Sequence, residues 1–270
     1  MSFRRLVFAA LATTLAVGAA WAVGGPVSPD GSAAYAVLTP DGLVAPGVTV
    51  RTMRSTTVSW RVVTLDLRVA TLALYGQAPG EPRSFGELDA FLRRDGKRLV
   101  VGTNAGIFET PSLPSGLFVS HGVERHGLNQ RAGDGNFYWK PNGVFWVDSV
   151  GAHVAPAADW PGSAGVHLAT QSGPLLAHGG VLHPGVAVAR GSLNLRNAVG
   201  VTDRHTVHLA MSLAPVSLRE TADLFVDHLA APDALYLDGT ISDLCVSDTC
   251  ARPGGTWAGI LAVVGPTEPP

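Results

Sequence analysis

Hydrophobic and polar positions alternate with a short period along most of this chain, and a helical period replaces that pattern in two places. From Thr56 to Gly76, TTVSWRVVTLDLRVATLALYG mixes alternation with β-branched residues, which predicts two neighbouring strands or one long bent strand. RLVVGTNAG holds an apolar run bounded by Gly and Asn, and reads as a buried strand running into a turn. NGVFWVD, LATQSGPLL, NAVGV, TVHLAMS, ALYLDG and GILAVVG follow as further short strands, with TDRH as a hairpin turn between two of them. Both helical stretches open on a capping box, a Ser with Glu three residues later. Ser84 and Glu87 precede Leu88, Phe91 and Leu92, and Gly96 ends that helix. Ser217 and Glu220 start the second, whose apolar face is Leu218, Ala222, Phe225, Val226 and Leu229, closed by Pro232. Many strands with two helices predict a single α+β domain on a mixed, mostly antiparallel sheet.

The N-terminus departs from this pattern. MSFRRLVFAALATTLAVGAAWA places Arg4 and Arg5 before an apolar run from Leu6 and ends on Ala20-Trp21-Ala22. That is the order of a secretory signal peptide, residues 1–22, cleaved after Ala22. An uncleaved anchor is the competing reading, but the run is shorter than the roughly 20 residues a spanning helix needs. No Cys follows it for lipid attachment. Residues 23–54 are rich in Gly, Pro, Ala and Val without a clear period, and read as an irregular segment ahead of a domain at 55–266. No later run is long enough to span a bilayer, so a soluble secreted or periplasmic protein without stable membrane insertion is expected.

Charge and cysteines narrow the partners. With 19 basic and 21 acidic residues the formal charge is −2, which leaves no electrostatic footprint for nucleic acid. Cys245 and Cys250 lie close together in CVSDTC, and in an oxidising compartment the default is a disulfide closing that loop. A zinc site would need further ligands nearby. The nine histidines form no such cluster, since His205 and His208 fall on opposite faces of a hairpin, so neither metal nor cofactor is expected.

Polar residues recur where an apolar strand gives way to Gly: Asn104 in GTNAG, Gln171 and Ser172 in TQSGP, Asp238 in YLDGT. Strand ends hold side chains at fixed angles toward a ligand, although Asn, Ser and Asp beside Gly are also ordinary turn formers. Arg196 and Asn197 stand directly before a buried strand, where a guanidinium is either a two-pronged grip for phosphate or carboxylate or a surface charge at a strand entrance. Lys140 and Asn142, flanked by aromatics in YWKPNGVFW, read equally as a sugar-stacking rim or as a Pro141 turn. The candidate acids and bases are Asp238 and Glu109, with Asp134 and Asp243 behind them. Asp238 ranks first because it emerges from a core strand, where a lone carboxylate is costly unless paired or functional. A serine hydrolase would present G-x-S-x-G, which neither Ser172 nor Ser120 fits, and no P-loop or dinucleotide fingerprint occurs.

Taken in order, NAGIFE, PSGLFV, GNFYWKPNGVFWV, ATQSGPLL, LRNAVGV, the SLRE helix start and ALYLDGTIS resemble the phosphodiester glycosidase family, from about Val63 to Gly265. The resemblance implies an α+β catalytic domain that cleaves between a sugar's anomeric carbon and a phosphate. On that basis NAG shapes a pocket floor, and the Pro-Ser-Gly run lets backbone approach the ligand. Arg196, assisted by Lys140, is the implied phosphate clamp, Asp238 the carboxylate that steadies positive charge or activates water, and Glu109 the second acid or base. Asn104, Gln171, Ser172 and Asn197 would hydrogen-bond sugar hydroxyls and phosphate oxygens. A known member has LDGGGS where this chain has LDGTIS, so Gly239 and Ser242 are kept while Thr240 and Ile241 narrow the space. The alternative class is a non-catalytic envelope protein that binds glycans or sugar phosphates on the same scaffold.

Overall fold

The computed structural model describes residues 36–109, 113–247, 249–250 and 255–267, with side chains from residue 42 onward. The signal-peptide reading, and Pro111 and Ser112 of the Pro-Ser-Gly run, lie outside them. In chain order the strands begin with β1 (Ala36–Ala45), β2 (Val48–Arg54), β3 (Ser59–Asp66) and β4 (Leu72–Tyr75). Helix α1 (Phe85–Arg93) leads to β5 (Lys97–Asn104), then the short β6 (Phe108–Glu109), β7 (Leu113–Pro114), β8 (Phe118–Ser120) and β9 (Val123–His126). Next come β10 (Gly143–Asp148), β11 (Ala152–Pro156), β12 (Val166–Ser172), β13 (Leu175–His178), β14 (Val181–Leu182) and helix α2 (Pro184–Val188). The hairpin β15 (Asn197–Asp203) and β16 (Thr206–Ser212) precedes helix α3 (Leu218–Asp223). β17 (Asp233–Asp238), β18 (Leu244–Val246), β19 (Thr249–Cys250) and β20 (Ile260–Pro266) follow.

These strands form three main sheets, and the described pairs are antiparallel. The largest has eight strands in the order β1-β2-β3-β16-β15-β17-β13-β14, and two five-stranded sheets run β11-β10-β12-β8-β9 and β19-β18-β5-β20-β4. One apolar cluster, with Leu65, Leu74, Phe118, Phe145, Val199 and Leu237 among its members, is shared by all three. Burial of such side chains contributes about 1.5–3 kcal/mol each, so this shared centre fixes how the sheets meet. The outer face of the large sheet packs on α2 and α3 through Trp60, Phe225 and Tyr236, and α1 covers β5 and β20 through Phe85, Leu88 and Leu92. Gly200 in β15 makes the first contact possible, because a Cβ there would stand 2.2 Å from a Phe225 ring carbon.

Two expectations need correction. The stretch read as irregular up to residue 54 contains β1 and β2, which pair with each other and join the large sheet along β3. β2 lies near the sheet's edge and is half-buried, so its alternation is too weak to register in hydropathy. β3 and β4 are two strands, as one reading had it, but they enter different sheets across a turn held by Asp66 and Ala70. Of the two expected capping boxes, the second is complete, with Ser217 and Glu220 bonding reciprocally, whereas at the first Ser84 Oγ accepts from Glu87 N and the Glu87 carboxylate accepts from Arg83 N. Beyond Asp223 the helix widens into a π turn over Leu224–His228, which leaves Leu224 fully buried and Val226 half-buried. Cys245 and Cys250 face each other across β18 and β19 and are joined by a disulfide.

Ser217→Ala removes the acceptor for Glu220 N, and is expected to lower unfolding stability by about 1 kcal/mol. A urea midpoint that falls with the slope unchanged meets that expectation, and an unmoved midpoint contradicts it.

Candidate active site

The ends of β5, β15 and β17 converge on one side chain. Asn197, at the start of β15, is buried, and its Nδ2 shares two N–H groups among Thr103 Oγ1 at 2.9 Å, Asn104 O at 2.8 Å and Asn104 Oδ1 at 3.0 Å. Its Oδ1 accepts from Ser242 Oγ at 3.2 Å, and that hydroxyl also lies 3.0 Å from Asp238 O. Asn104 is fixed in turn, because Oδ1 accepts from Asp243 N at 2.9 Å and its amide nitrogen is thereby aimed at Asp238 Oδ2, 3.3 Å away. Ser172, at the end of β12, ties this group to the neighbouring sheet by donating to Leu237 O at 2.8 Å and accepting from Ile107 N at 3.3 Å.

Asp238 closes the arrangement. Its Oδ1 accepts from Gly239 N at 2.6 Å, and partial exclusion of water pushes the carboxyl up from 3.8 to about 6, with the Gly239 and Asn104 bonds opposing that rise. No cation is among the groups that set this value. A carboxylate kept partly dry without a counter-charge is the kind of group found where proton transfer or charge stabilisation is needed.

The other expected residues divide into those held beside this network and those turned to other work. Arg196 is completely buried, and its Nε and Nη2 donate to Val216 O at 2.9 Å and Ser192 O at 2.7 Å. This corrects the expectation of a directly presented clamp, since two arms of the fork are occupied by main-chain carbonyls. Its guanidinium lies 5.1 Å from the Tyr236 ring centre, and burial lowers its pKa without discharging it. Gln171 is likewise internal: Oε1 accepts from Leu117 N and Asn129 N, and Nε2 donates to Asn129 O at 2.7 Å. Gly116 permits that clamp, because a Cβ there would lie 2.2 Å from Gln171 Oε1, so the glycine of PSGLF admits a side chain of the protein itself.

Lys140 and Asn142 bond each other at 3.2 Å, and Asn142 is anchored to Phe137 O. Burial of the Lys140 head lowers its pKa, and both line a cavity of about 450 Å³ with Gln130 and Ala157. Thr240 is exposed and donates to Asn194 Oδ1 at 3.1 Å. Glu109 stands exposed on β6, and the described hydrogen bonds around Asn197 do not extend to it. Asp134 is exposed in its turn, while Asp243 is buried with its backbone in the network. Thr103 and Tyr236 went unnoticed in the sequence because both sit inside apolar runs. Neither Ser172 nor Ser242 has a histidine partner, which removes the serine-nucleophile arrangement among the described residues. No group of metal-ligating side chains occurs among them either.

The structure is a three-sheet antiparallel domain with amides, hydroxyls and one perturbed carboxyl gathered at its strand ends. A family model described as phosphodiester glycosidase matches residues 97–260, and the chain belongs to that family. An uncharacterised protein of Escherichia coli (strain K12), YigE, is 29% identical over 191 residues, spanning 70% of this chain and 74% of its own. The catalytic domain of zebrafish N-acetylglucosamine-1-phosphodiester alpha-N-acetylglucosaminidase, auto-inhibited by its pro-peptide, shares the fold with a TM-score of 0.57 at 14% identity, over 86% of this chain and 87% of that one. A hypothetical protein from Synechocystis shares it with a TM-score of 0.51 at 16% identity, over 81% and 62%.

Because folded Asp238 holds its proton more tightly than the unfolded side chain does, its ionisation costs stability as the pH rises from 3.8 through about 6. Asp238→Asn is therefore expected to be more stable than the parent at pH 7, by up to about 3 kcal/mol, with the difference gone below about pH 4. Urea unfolding at the two pH values reads this directly. A variant less stable at pH 7 would contradict a desolvated carboxylate.

Proposed function

We propose that this protein is an exported glycosidase that hydrolyses the bond between a sugar's anomeric carbon and phosphate in a sugar-1-phosphodiester of envelope or extracellular glycans. Family membership supports the reaction class, and the single observation that carries the reading is Asp238, a carboxyl raised to about 6 with no cation among the described groups that set that value and its lone pairs directed by Gly239 and Asn104. Phosphate departs with little protonation, so the demand falls on the carbon left electron-poor. An ionised Asp238 answers that demand by steadying positive charge at the anomeric carbon or by taking a proton from the attacking water. Asn104, Asn197, Ser172 and Ser242 hold that carboxylate and the turn after it in place. Glu109 is assigned the second acid–base role and Lys140 a supporting charge for phosphate. The domain proper is assigned to the chain after the N-terminal leader. Export is supported by the leader's charge and hydropathy order and by the Cys245–Cys250 disulfide, which suits an oxidising compartment. No helix among the described residues is long and apolar enough to cross a membrane.

A panel of sugar-1-phosphodiesters with the purified protein tests the reading. Turnover is expected, with kcat/KM rising with pH through a midpoint near 6 as Asp238 ionises. Asp238→Asn should lower kcat by about 100-fold or more, since it removes charge used in the transition state. Sugar phosphate bound by the parent without hydrolysis of any diester would instead establish the binding-protein alternative.

A further inference from the structure

β17 delivers a second polar group to the same end of the large sheet. Tyr236 precedes Asp238 by two residues, is 2% exposed, and senses the Asp238 charge without a hydrogen bond to it. A Cβ built on Gly239 would lie 2.6 Å from the Tyr236 hydroxyl, so the phenol oxygen sits over the turn that follows Asp238. Two polar side chains lie beside that oxygen, Asn136 and Arg196, neither with the geometry of a full hydrogen bond, and among the described residues the buried Arg196 Nη1 has no other partner. The guanidinium has no acceptor and can only donate to the phenol oxygen. With its oxygen supplied from that side, the phenol's single hydrogen is left to donate elsewhere.

We propose that the Tyr236 hydroxyl donates a hydrogen bond to the phosphate oxygen that separates from the anomeric carbon, with Arg196 and Asn136 as positioning residues that hold the phenol. This deepens the phosphodiester reading and rests on it. In the reaction the C1–O bond breaks with its electron pair passing to the phosphate oxygen, and water oxygen forms the new bond to C1. The proton from water passes to Asp238 and then to solvent. Tyr236 keeps its own proton, which burial holds with a pKa of about 12. Its contribution is a hydrogen bond that strengthens as charge collects on the departing oxygen. A buried Arg196 thus serves the phosphate through the phenol.

The test compares the parent with Tyr236→Phe on two diesters of one sugar phosphate, an alkyl ester and a 4-nitrophenyl ester, whose phosphate leaves more readily. For the alkyl ester kcat should fall by about 10- to 100-fold with KM changed less than threefold, and the fall should be several-fold smaller for the 4-nitrophenyl ester. Equal losses on both esters, or no loss, overturn the proposal. Should Tyr236→Phe fail to fold, Tyr236→3-fluorotyrosine, a stronger donor of nearly the same shape, must raise kcat on the alkyl ester more than on the aryl one, and the reverse order refutes the assignment. Were the parent to cleave no diester at all, the functional reading itself would fail, and the tyrosine would be judged by titration with methyl phosphate followed by phosphorus NMR. There, binding at least tenfold weaker in Tyr236→Phe upholds the donor role, while equal binding or none by either protein overturns it.

Discussion

One carboxamide governs how the separate layers of this protein meet at their polar end. Asn197 belongs to the eight-stranded sheet, yet its amide nitrogen is spent on Thr103 and Asn104 of a different sheet, and its oxygen on the turn after β17. Apolar packing brings the sheets to within contact distance but is indifferent to small rotations. The directional bonds of Asn197 select one arrangement, and in a buried setting each unmade bond would cost about 1–3 kcal/mol.

From that choice the remaining geometry follows in sequence. Asn104, fixed by Asn197 and Asp243, has its amide nitrogen left for Asp238, and Asp238 has Gly239 on its other oxygen. A carboxylate with only neutral donors around it retains much of its desolvation cost, which is why its pKa stays high. The cation buried among the described residues, Arg196, is directed instead toward main-chain carbonyls and the Tyr236 ring. Separating the acid from the cation keeps Asp238 available to chemistry, where a direct ion pair would have quenched it.

The shared apolar centre and the helices on the outer faces supply rigidity for this polar end. Strand termini anchored on both faces move little, so side chains projecting from them hold their relative positions. Gln171 and Gly116 belong to the same support: a buried amide and a missing Cβ fasten the loops around residues 116 and 129 to β12.

Much of this could be read along the chain. Periodicity marked most core strands and both longer helices, Ser-x-x-Glu located the helix starts, and Asp238 stood out as a carboxyl leaving an apolar strand. Asn104 and Ser172 stand out as polar residues at strand ends, Asn197 as one directly before a strand and Ser242 through the LDGTIS stretch, and the structure gathers them around Asp238 and the residues on either side of it. The edge hairpin before residue 54 was not legible, because half-buried strands carry little alternation. Neither were the inward roles of Arg196 and Gln171, whose polarity suggested solvent or ligand, nor Tyr236, which looks like any aromatic core residue in ALYLDG. Local pattern reports which residues want to leave water and which turns the backbone favours. Which donor faces which acceptor depends on strands far apart in sequence, and only their packing into three sheets decides it.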